Sequence, residues 1–206
     1  MAYYSYHQAL WLIILSGSLL RLILAGTIGL GVDESYVVSV ARDFSLSYFD
    51  HPPLHFWLIW LTTHLTNSEN ALVLRLPFIL MFAGTTWMMY KLGGRLFDKK
   101  AGLYSALLLN VSAVFSLSTG SWILPDGPLM FLMLAATLVL TDLFFPGAKK
   151  PSLRLWIIAG GLVGLGMLAK YHAVFLAFGS LFFMLTSKYH RCNLLTPGPY
   201  LAMIVA

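Results

Sequence analysis

The sequence has few charged residues and a single cysteine. Only 10% of its 206 residues are Asp, Glu, Lys or Arg, against about 25% in soluble domains, and this excludes a soluble globular enzyme. The single Cys192 excludes a disulfide scaffold, and the absence of polar low-complexity tracts excludes a disordered chain. Hydrophobic residues make up 59% of the sequence. We therefore predict an all-α polytopic membrane protein.

Long apolar stretches divide the chain into predicted membrane spans, each of which needs about 20 residues. The six stretches that approach this length are residues 9–30, 71–92, 101–119, 127–145, 153–169 and 171–187. A further span begins near Pro199, so we predict six to seven transmembrane helices in a single domain over residues 1–206. The last two stretches would exceed the bilayer thickness as one straight helix, and we predict a hairpin at Lys170.

The region between the first two spans is predicted to be a long loop at the outer face. Residues 33–45 place apolar side chains at helical spacing on one side. The apolar stretch at residues 52–66 is too short to cross a bilayer, and it opens with two prolines that suit a first helical turn. We therefore predict two juxtamembrane helices within a first extracytoplasmic loop, residues 32–70.

The distribution of charged residues predicts the orientation of the chain. If the first span runs from inside to outside, three loops fall on the cytoplasmic side, as the positive-inside rule expects. These loops hold nine of the 13 basic residues: Lys91, Arg95, Lys99, Lys100, Lys149, Lys150, Arg154, Lys188 and Arg191. The basic residues thus act as topology signals, and no nucleic-acid partner is predicted. Six of the eight acidic residues fall at the outer face: Asp33, Glu34, Asp43, Asp50, Glu69 and Asp126.

Three short motifs lie at this predicted outer face. They are the pair Asp33-Glu34, the stretch FDHPP at residues 49–53 and the stretch PDGPL at residues 125–129. In this order and spacing they resemble the amino-terminal part of the family 39-type glycosyltransferases. Relatives in that group are the protein O-mannosyltransferases and the aminoarabinose transferase that modifies lipid A. The resemblance covers nearly the whole chain and implies a GT-C fold whose carboxyl-terminal part is missing here, so that this piece alone is expected to be inactive.

The resemblance also implies an activity. Members of the family move a sugar from a polyprenyl-phosphate donor, with inversion, onto a lipid, glycan or protein acceptor. We expect this reaction at the periplasmic side of a bacterial inner membrane, in contact with membrane lipids. Inverting transfer needs a base for the acceptor's proton and a cation near the leaving phosphate. Asp33 is the predicted catalytic base, and Glu34 is the second catalytic residue, as its neighbour or as an acceptor-positioning group. The predicted substrate-binding residues are Asp50, His51, Asp126, Lys170 and Tyr171.

Other roles remain open for several of these residues. Asp33 stands where an N-cap of the first juxtamembrane helix would lie, and Glu34 is a favourable charge for a first helical turn. Asp50 and His51 have side chains that bind Zn²⁺ or Mn²⁺, although two ligands do not make a site. A divalent metal is therefore an open option, and no other cofactor is predicted.

Two other classes of function also remain open. A non-catalytic lipid-binding scaffold would use the acidic residues only as helix caps, and a transporter component would also carry charges within its spans. Arg21 and Arg75 are each expected to pair with a carboxylate or a helix end. Trp57, Trp60 and Trp122 fit an interfacial aromatic belt better than a sugar-binding surface.

Overall fold

The computed structural model describes residues 5–145 and 152–206, and every regular element within these ranges is a helix. The α-helices of the described residues are α1 (Tyr6–Thr27), α2 (Val32–Val40), α3 (Leu54–Thr66), α4 (Ala71–Leu96), α5 (Lys99–Val111), α6 (Asp126–Phe144), α7 (Leu153–Ala169), α8 (Val174–Thr186) and α9 (Pro197–Val205). A π-helix spans Phe115–Thr119, and 3₁₀ turns span Tyr171–Ala173 and Arg191–Leu195. The prediction of an all-α protein is confirmed. Lys149 and Lys150, two of the predicted cytoplasmic basic residues, lie outside the described residues.

Three of the described helices are long and apolar enough to cross a membrane. They are α1, α4 and α6, and each coincides with a span predicted from the sequence. Helix α7, with 17 residues, and the run Tyr171–Thr186 are apolar but shorter. The structure thus confirms three full-length spans by length and composition.

The predicted continuous span over residues 101–119 is wrong, because the helix is interrupted. Helix α5 ends at Val111, Ser112 is extended with φ −65° and ψ 115°, and the chain then enters the π-helix. The Ser116 hydroxyl donates to the Asn110 carbonyl at 3.0 Å and accepts a hydrogen bond from Arg21 Nη2 at 2.5 Å. Polar groups freed by the interruption are thereby satisfied inside the bundle.

Arg21 is the buried cation that supports this interruption. Its side chain lies on α1, is only 4% exposed, and holds its guanidinium carbon 4.2 Å from the centre of the Phe82 ring. Within the described ranges its partners are therefore a hydroxyl group and an aromatic face, and no carboxylate pairs with it. The expected pairing of Arg21 with a carboxylate or a helix end is not found among the described residues.

The chain divides into two compact units, and the first extends to Phe131. Its core packs α2 and α3 against α4, so the helices of the predicted loop are fixed on a long apolar helix. The core residues are Val37, Val38, Ala41, Phe56, Ile59, Leu74, Phe78 and Ile123. Both predicted helices exist, and their location at the membrane surface stays a prediction. The first is shorter than the predicted residues 33–45, since α2 ends at Val40 and residues 42–53 connect it irregularly to α3.

The second unit begins at Leu132 and contains the predicted hairpin. Helix α7 ends at Ala169, Lys170 is extended with φ −159° and ψ 134°, and a 3₁₀ turn leads into α8. The hairpin at Lys170 is thus confirmed. Gly160 allows α9 to approach α7 closely, because a Cβ atom at this position would meet the Ala202 backbone carbonyl.

Candidate active site

Glu34 is a buried carboxylate at the centre of the first unit. Its Oε1 accepts hydrogen bonds from Arg75 Nε at 2.8 Å and from the Ile123 N–H at 3.1 Å. Its Oε2 accepts from Arg75 Nη2 at 2.5 Å and from the Gly31 N–H at 2.9 Å. Both charged side chains are only 3% exposed. One carboxylate therefore joins α2, α4 and the segment that precedes α6.

Arg75 completes this arrangement by binding the end of α1. Its Nη1 donates to the carbonyls of Ala25 at 3.3 Å and Ile28 at 2.8 Å, and its Nη2 donates to the Gly29 carbonyl at 2.9 Å. These are carbonyls that a helix end leaves without intrahelical partners. Arg75 therefore pairs with a carboxylate and also with a helix end, as expected from the sequence.

The environment of Glu34 keeps it ionised at neutral pH. Burial raises its pKa, but the hydrogen bonds from Arg75 and from the backbone N–H groups of Gly31 and Ile123 lower it by more, so the pKa lies below its ordinary value. A carboxylate that already accepts four hydrogen bonds is poorly placed to take a proton from a substrate. The geometry favours the structural role that the sequence left open for Glu34.

Asp33 is exposed to solvent, unlike the adjacent, buried Glu34. It is the second residue of α2, its side chain is exposed, and within the described residues it has no hydrogen bond or ion pair. The N-cap is Gly31, and Glu34 supplies the reciprocal carboxylate bond, so the hypothesis that Asp33 caps the helix is wrong. The Asp33 carboxylate lines a cavity of about 210 Å³ together with Arg75 and Trp122. The Asp33 carboxylate thus lines a small cavity, and the buried Glu34–Arg75 pair fixes the shape of that cavity.

A second group of side chains contains Asp50 and His51. Oδ2 of Asp50 lies 3.1 Å from Nδ1 of His51, and the Tyr36 hydroxyl also interacts with the Asp50 carboxylate. Burial raises the pKa of Asp50, but the interactions with Tyr36 and His51 lower it below its ordinary value. Tyr36 follows Asp33 by three residues on α2, which places the two side chains on neighbouring positions of one helix face. Asp50 is therefore linked to the helix that carries Asp33.

His55 extends this group into the core. Its ring is 1% exposed and packs edge-to-face against the His51 ring, with 5.7 Å between the ring centres. Burial, and then the neighbouring His51, lower the pKa of His55 to about 4, against an opposing effect of Asp50 and Asp126. The sequence motifs did not single out His55 as a site residue. The signal that was missed is its four-residue spacing from His51 at a helix start.

Asp126 is half-buried at the first residue of α6 and acts electrostatically on His55. Because Ile123 binds Glu34, and Trp122 lines the cavity of Asp33, the PDGPL motif begins next to the Asp33-Glu34 pair. The three sequence motifs thus meet in the first unit. Lys170, half-buried at the hairpin tip, and Tyr171, 70% exposed, belong to the second unit. Their participation in the site stays a prediction.

The residues predicted to bind a metal do not form a complete site on their own. Among the residues that the structure describes, no three His, Cys, Asp or Glu side chains are grouped so that they could hold a metal ion. Asp50 and His51 supply two donors, and zinc sites in proteins use three or four protein ligands.

Comparison with known proteins identifies the family. Residues 50–206 match the family described as dolichyl-phosphate-mannose-protein mannosyltransferase. The chain belongs to this mannosyltransferase family. The matched region includes Asp50, His51, Asp126 and Lys170, whereas Asp33 and Glu34 precede it. No curated protein and no solved structure matches the chain.

Membership of the mannosyltransferase family confirms the resemblance drawn from the motifs. Together with the three long apolar helices, it identifies an integral membrane protein with an all-α fold and supports the GT-C class. It also supports a glycosyltransferase activity.

Proposed function

We propose that this protein transfers a sugar from a polyprenyl-phosphate donor to a hydroxyl group of a lipid, glycan or protein acceptor, with inversion at the anomeric carbon. The reaction takes place at the outer, periplasmic face of a bacterial inner membrane. The observation that supports this proposal best is the exposed Asp33 carboxylate, which has no partner among the described residues and lines a cavity beside the fully bonded Glu34–Arg75 pair.

Asp33 acts as the general base in this proposal. Its carboxylate accepts the proton of the acceptor hydroxyl while that oxygen forms a bond to the anomeric carbon. The bond from the anomeric carbon to the phosphate oxygen breaks on the opposite side of the ring, and its electron pair leaves with the polyprenyl phosphate. Glu34 does not take part in proton transfer. It positions the turn that carries Asp33, because its hydrogen bonds fix α2 on α4.

The leaving phosphate gains negative charge and needs cationic partners. His51, when protonated on both nitrogens, directs one N–H to Asp50 and offers the other to a phosphate oxygen. Lys170 and Tyr171, at the tip of the α7–α8 hairpin, are proposed to bind the same phosphate. Asp50 and Asp126 are proposed to bind hydroxyl groups of the sugar.

Substitution of Asp33 tests the proposed base. We expect Asp33→Asn to lower sugar transfer by about 100-fold or more, since a positioned base contributes that much to the rate. Asp43→Asn is the matched control, because Asp43 is an exposed aspartate on the connection that follows α2. The measurement is mass spectrometry of lipid and glycan extracts from cells with the intact gene, without it, and with each variant. Undiminished transfer by Asp33→Asn would instead favour the non-catalytic scaffold.

A further inference from the structure

Trp122 differs from the other tryptophans near the candidate site. Its side chain is 46% exposed and lines the cavity of Asp33. Within the described part of the chain its ring packs against no other aromatic ring, and its indole N–H has no acceptor. By contrast, the rings of Trp57 and Trp60 both pack on Phe44, and the Trp57 indole N–H donates to the Ser45 carbonyl at 2.8 Å. Trp57 and Trp60 therefore pack against Phe44, whereas Trp122 lines the cavity with neither its ring nor its indole N–H bound to another described residue.

The backbone around Trp122 is held firmly although its side chain is exposed. The Trp122 N–H donates to the Leu117 carbonyl at 3.2 Å, and the Trp122 carbonyl accepts from the Leu124 N–H at 2.9 Å. The intervening Ile123 is fully buried and donates its N–H to Glu34. An exposed aromatic ring on a fixed backbone binds a ligand with little loss of conformational entropy.

We infer that Trp122 forms the apolar wall of a binding site for a single pyranose ring, with the Asp33 carboxylate as its polar partner. A pyranose has a face of C–H groups and a rim of hydroxyl groups. The C–H face suits the indole surface, and the hydroxyl groups suit a carboxylate acceptor. An alkyl chain in this cavity would desolvate the Asp33 carboxylate without giving it a hydrogen bond. The inference rests on the proposed function and deepens it, and the ring belongs either to the donor or to a glycan acceptor.

Binding of a simple sugar tests this inference independently of catalysis. The protein is labelled with 5-fluorotryptophan in lipid nanodiscs, the Trp122 resonance is assigned with Trp122→Phe, and the sample is titrated with methyl α-mannoside. We expect a saturable shift of the Trp122 resonance. Mannitol, which carries the same kind of hydroxyl groups without a ring, should leave the resonance unchanged. No shift with the mannoside, or an equal shift with mannitol, would overturn the inference.

Kinetics of transfer then identify the source of the ring. Trp122→Leu should lower transfer by about tenfold or more, and Trp122→Phe should recover it to within about threefold, because the aromatic face is restored. A raised KM for polyprenyl-phosphate mannose in native membranes assigns the ring to the donor. A lowered maximal rate with unchanged donor KM assigns it to the acceptor.

A matched variant separates this site from a general effect of losing a tryptophan. Trp87 lies on α4 outside the cavity and is 43% exposed, close to the exposure of Trp122. Equal transfer by Trp122→Leu and Trp87→Leu would overturn the inference while leaving the proposed function intact. A saturable shift of the Trp122 resonance, combined with unchanged sugar transfer in cells that lack the intact gene, would support the binding site and contradict the proposed function.

Discussion

The pair formed by Glu34 and Arg75 is the residue-level feature that most affects stability. Both side chains are buried and bonded through two parallel contacts, so removal of the Glu34 charge leaves the buried Arg75 charge without a compensating carboxylate. We expect Glu34→Gln to lower the free energy of unfolding by about 3 to 5 kcal/mol. Thermal unfolding of the protein in detergent measures this loss.

A second Arg–Glu pair in the same unit provides the control. Arg42 and Glu69 form a similar two-point contact, at 2.9 and 2.8 Å, but both side chains are exposed. Glu69→Gln should change the unfolding temperature very little, because solvent screens an exposed pair. Equal losses of stability in Glu34→Gln and Glu69→Gln would show that burial of Glu34 does not strengthen its pair with Arg75.

His55 makes the stability of the first unit depend on pH. Its pKa is lowered from 6.5 to about 4 in the folded protein, so below pH 6.5 the unfolded chain takes up a proton that the folded chain does not. The free energy of unfolding should therefore fall by about 1.4 kcal/mol per pH unit between about pH 6.5 and pH 4. Comparison of His55→Phe with the unsubstituted protein over this range isolates the effect. Identical slopes for the two proteins would show that His55 is not responsible.

The sequence indicated which segments lie near one another better than it identified the partners of single residues. The charge distribution placed Asp33 and Asp126 at the same predicted face, and the structure brings their segments together through the hydrogen bond from Ile123 to Glu34. The role of Glu34 was left open because its partner Arg75 lies 41 residues away, and no local pattern links them. Trp122 was assigned to an interfacial belt, since only the fold shows that it shares a cavity with Asp33.

At the level of elements, the α7–α8 hairpin presents Lys170 at a turn between two apolar helices. If Lys170 binds the donor phosphate, Lys170→Ala should weaken binding of polyprenyl-phosphate mannose by about tenfold or more, since a charge-assisted contact is lost. Binding is measured with a fluorescent donor in nanodiscs. Lys188→Ala, beyond the other end of α8, is the control and should bind normally. Unchanged binding by Lys170→Ala would leave Lys170 with only a topological role.

Helix boundaries were predictable where hydropathy alone decides them. The bounds of α7 agree with the predicted stretch at residues 153–169. Helices α4 and α6 begin within one residue of their own predicted stretches. The interruption after α5 was not predicted, because residues 101–119 contain no charged residue and no proline. It depends on Arg21, which reaches Ser116 across 95 residues of sequence. Tertiary hydrogen bonding therefore overrides local helix propensity there.

At the scale of the whole molecule, the single cysteine makes the orientation directly testable. Cys192 is exposed in the connection between α8 and α9, which the positive-inside rule places in the cytoplasm. A membrane-impermeant maleimide should leave Cys192 unlabelled in intact spheroplasts and label it after permeabilisation.

The opposite face is probed in a background that carries Cys192→Ser. Ser47 is exposed on the connection between α2 and α3, and Ser47→Cys should be labelled without permeabilisation. Labelling of Cys192 in intact spheroplasts would reverse the proposed orientation and place the Asp33 cavity on the cytoplasmic side.

The hydrogen bond from Ile123 to Glu34 joins residues 89 positions apart, and it therefore sets an order for biogenesis. A ribosome that has delivered α1, α2 and α4 to the membrane has already supplied Asp33 and the Glu34–Arg75 pair. The wall that carries Trp122 is still missing at that stage. Until residue 123 has emerged, the nascent chain carries Asp33 without the Trp122 side of its cavity. The cavity is therefore complete only after residues from both ends of the first unit have been synthesised.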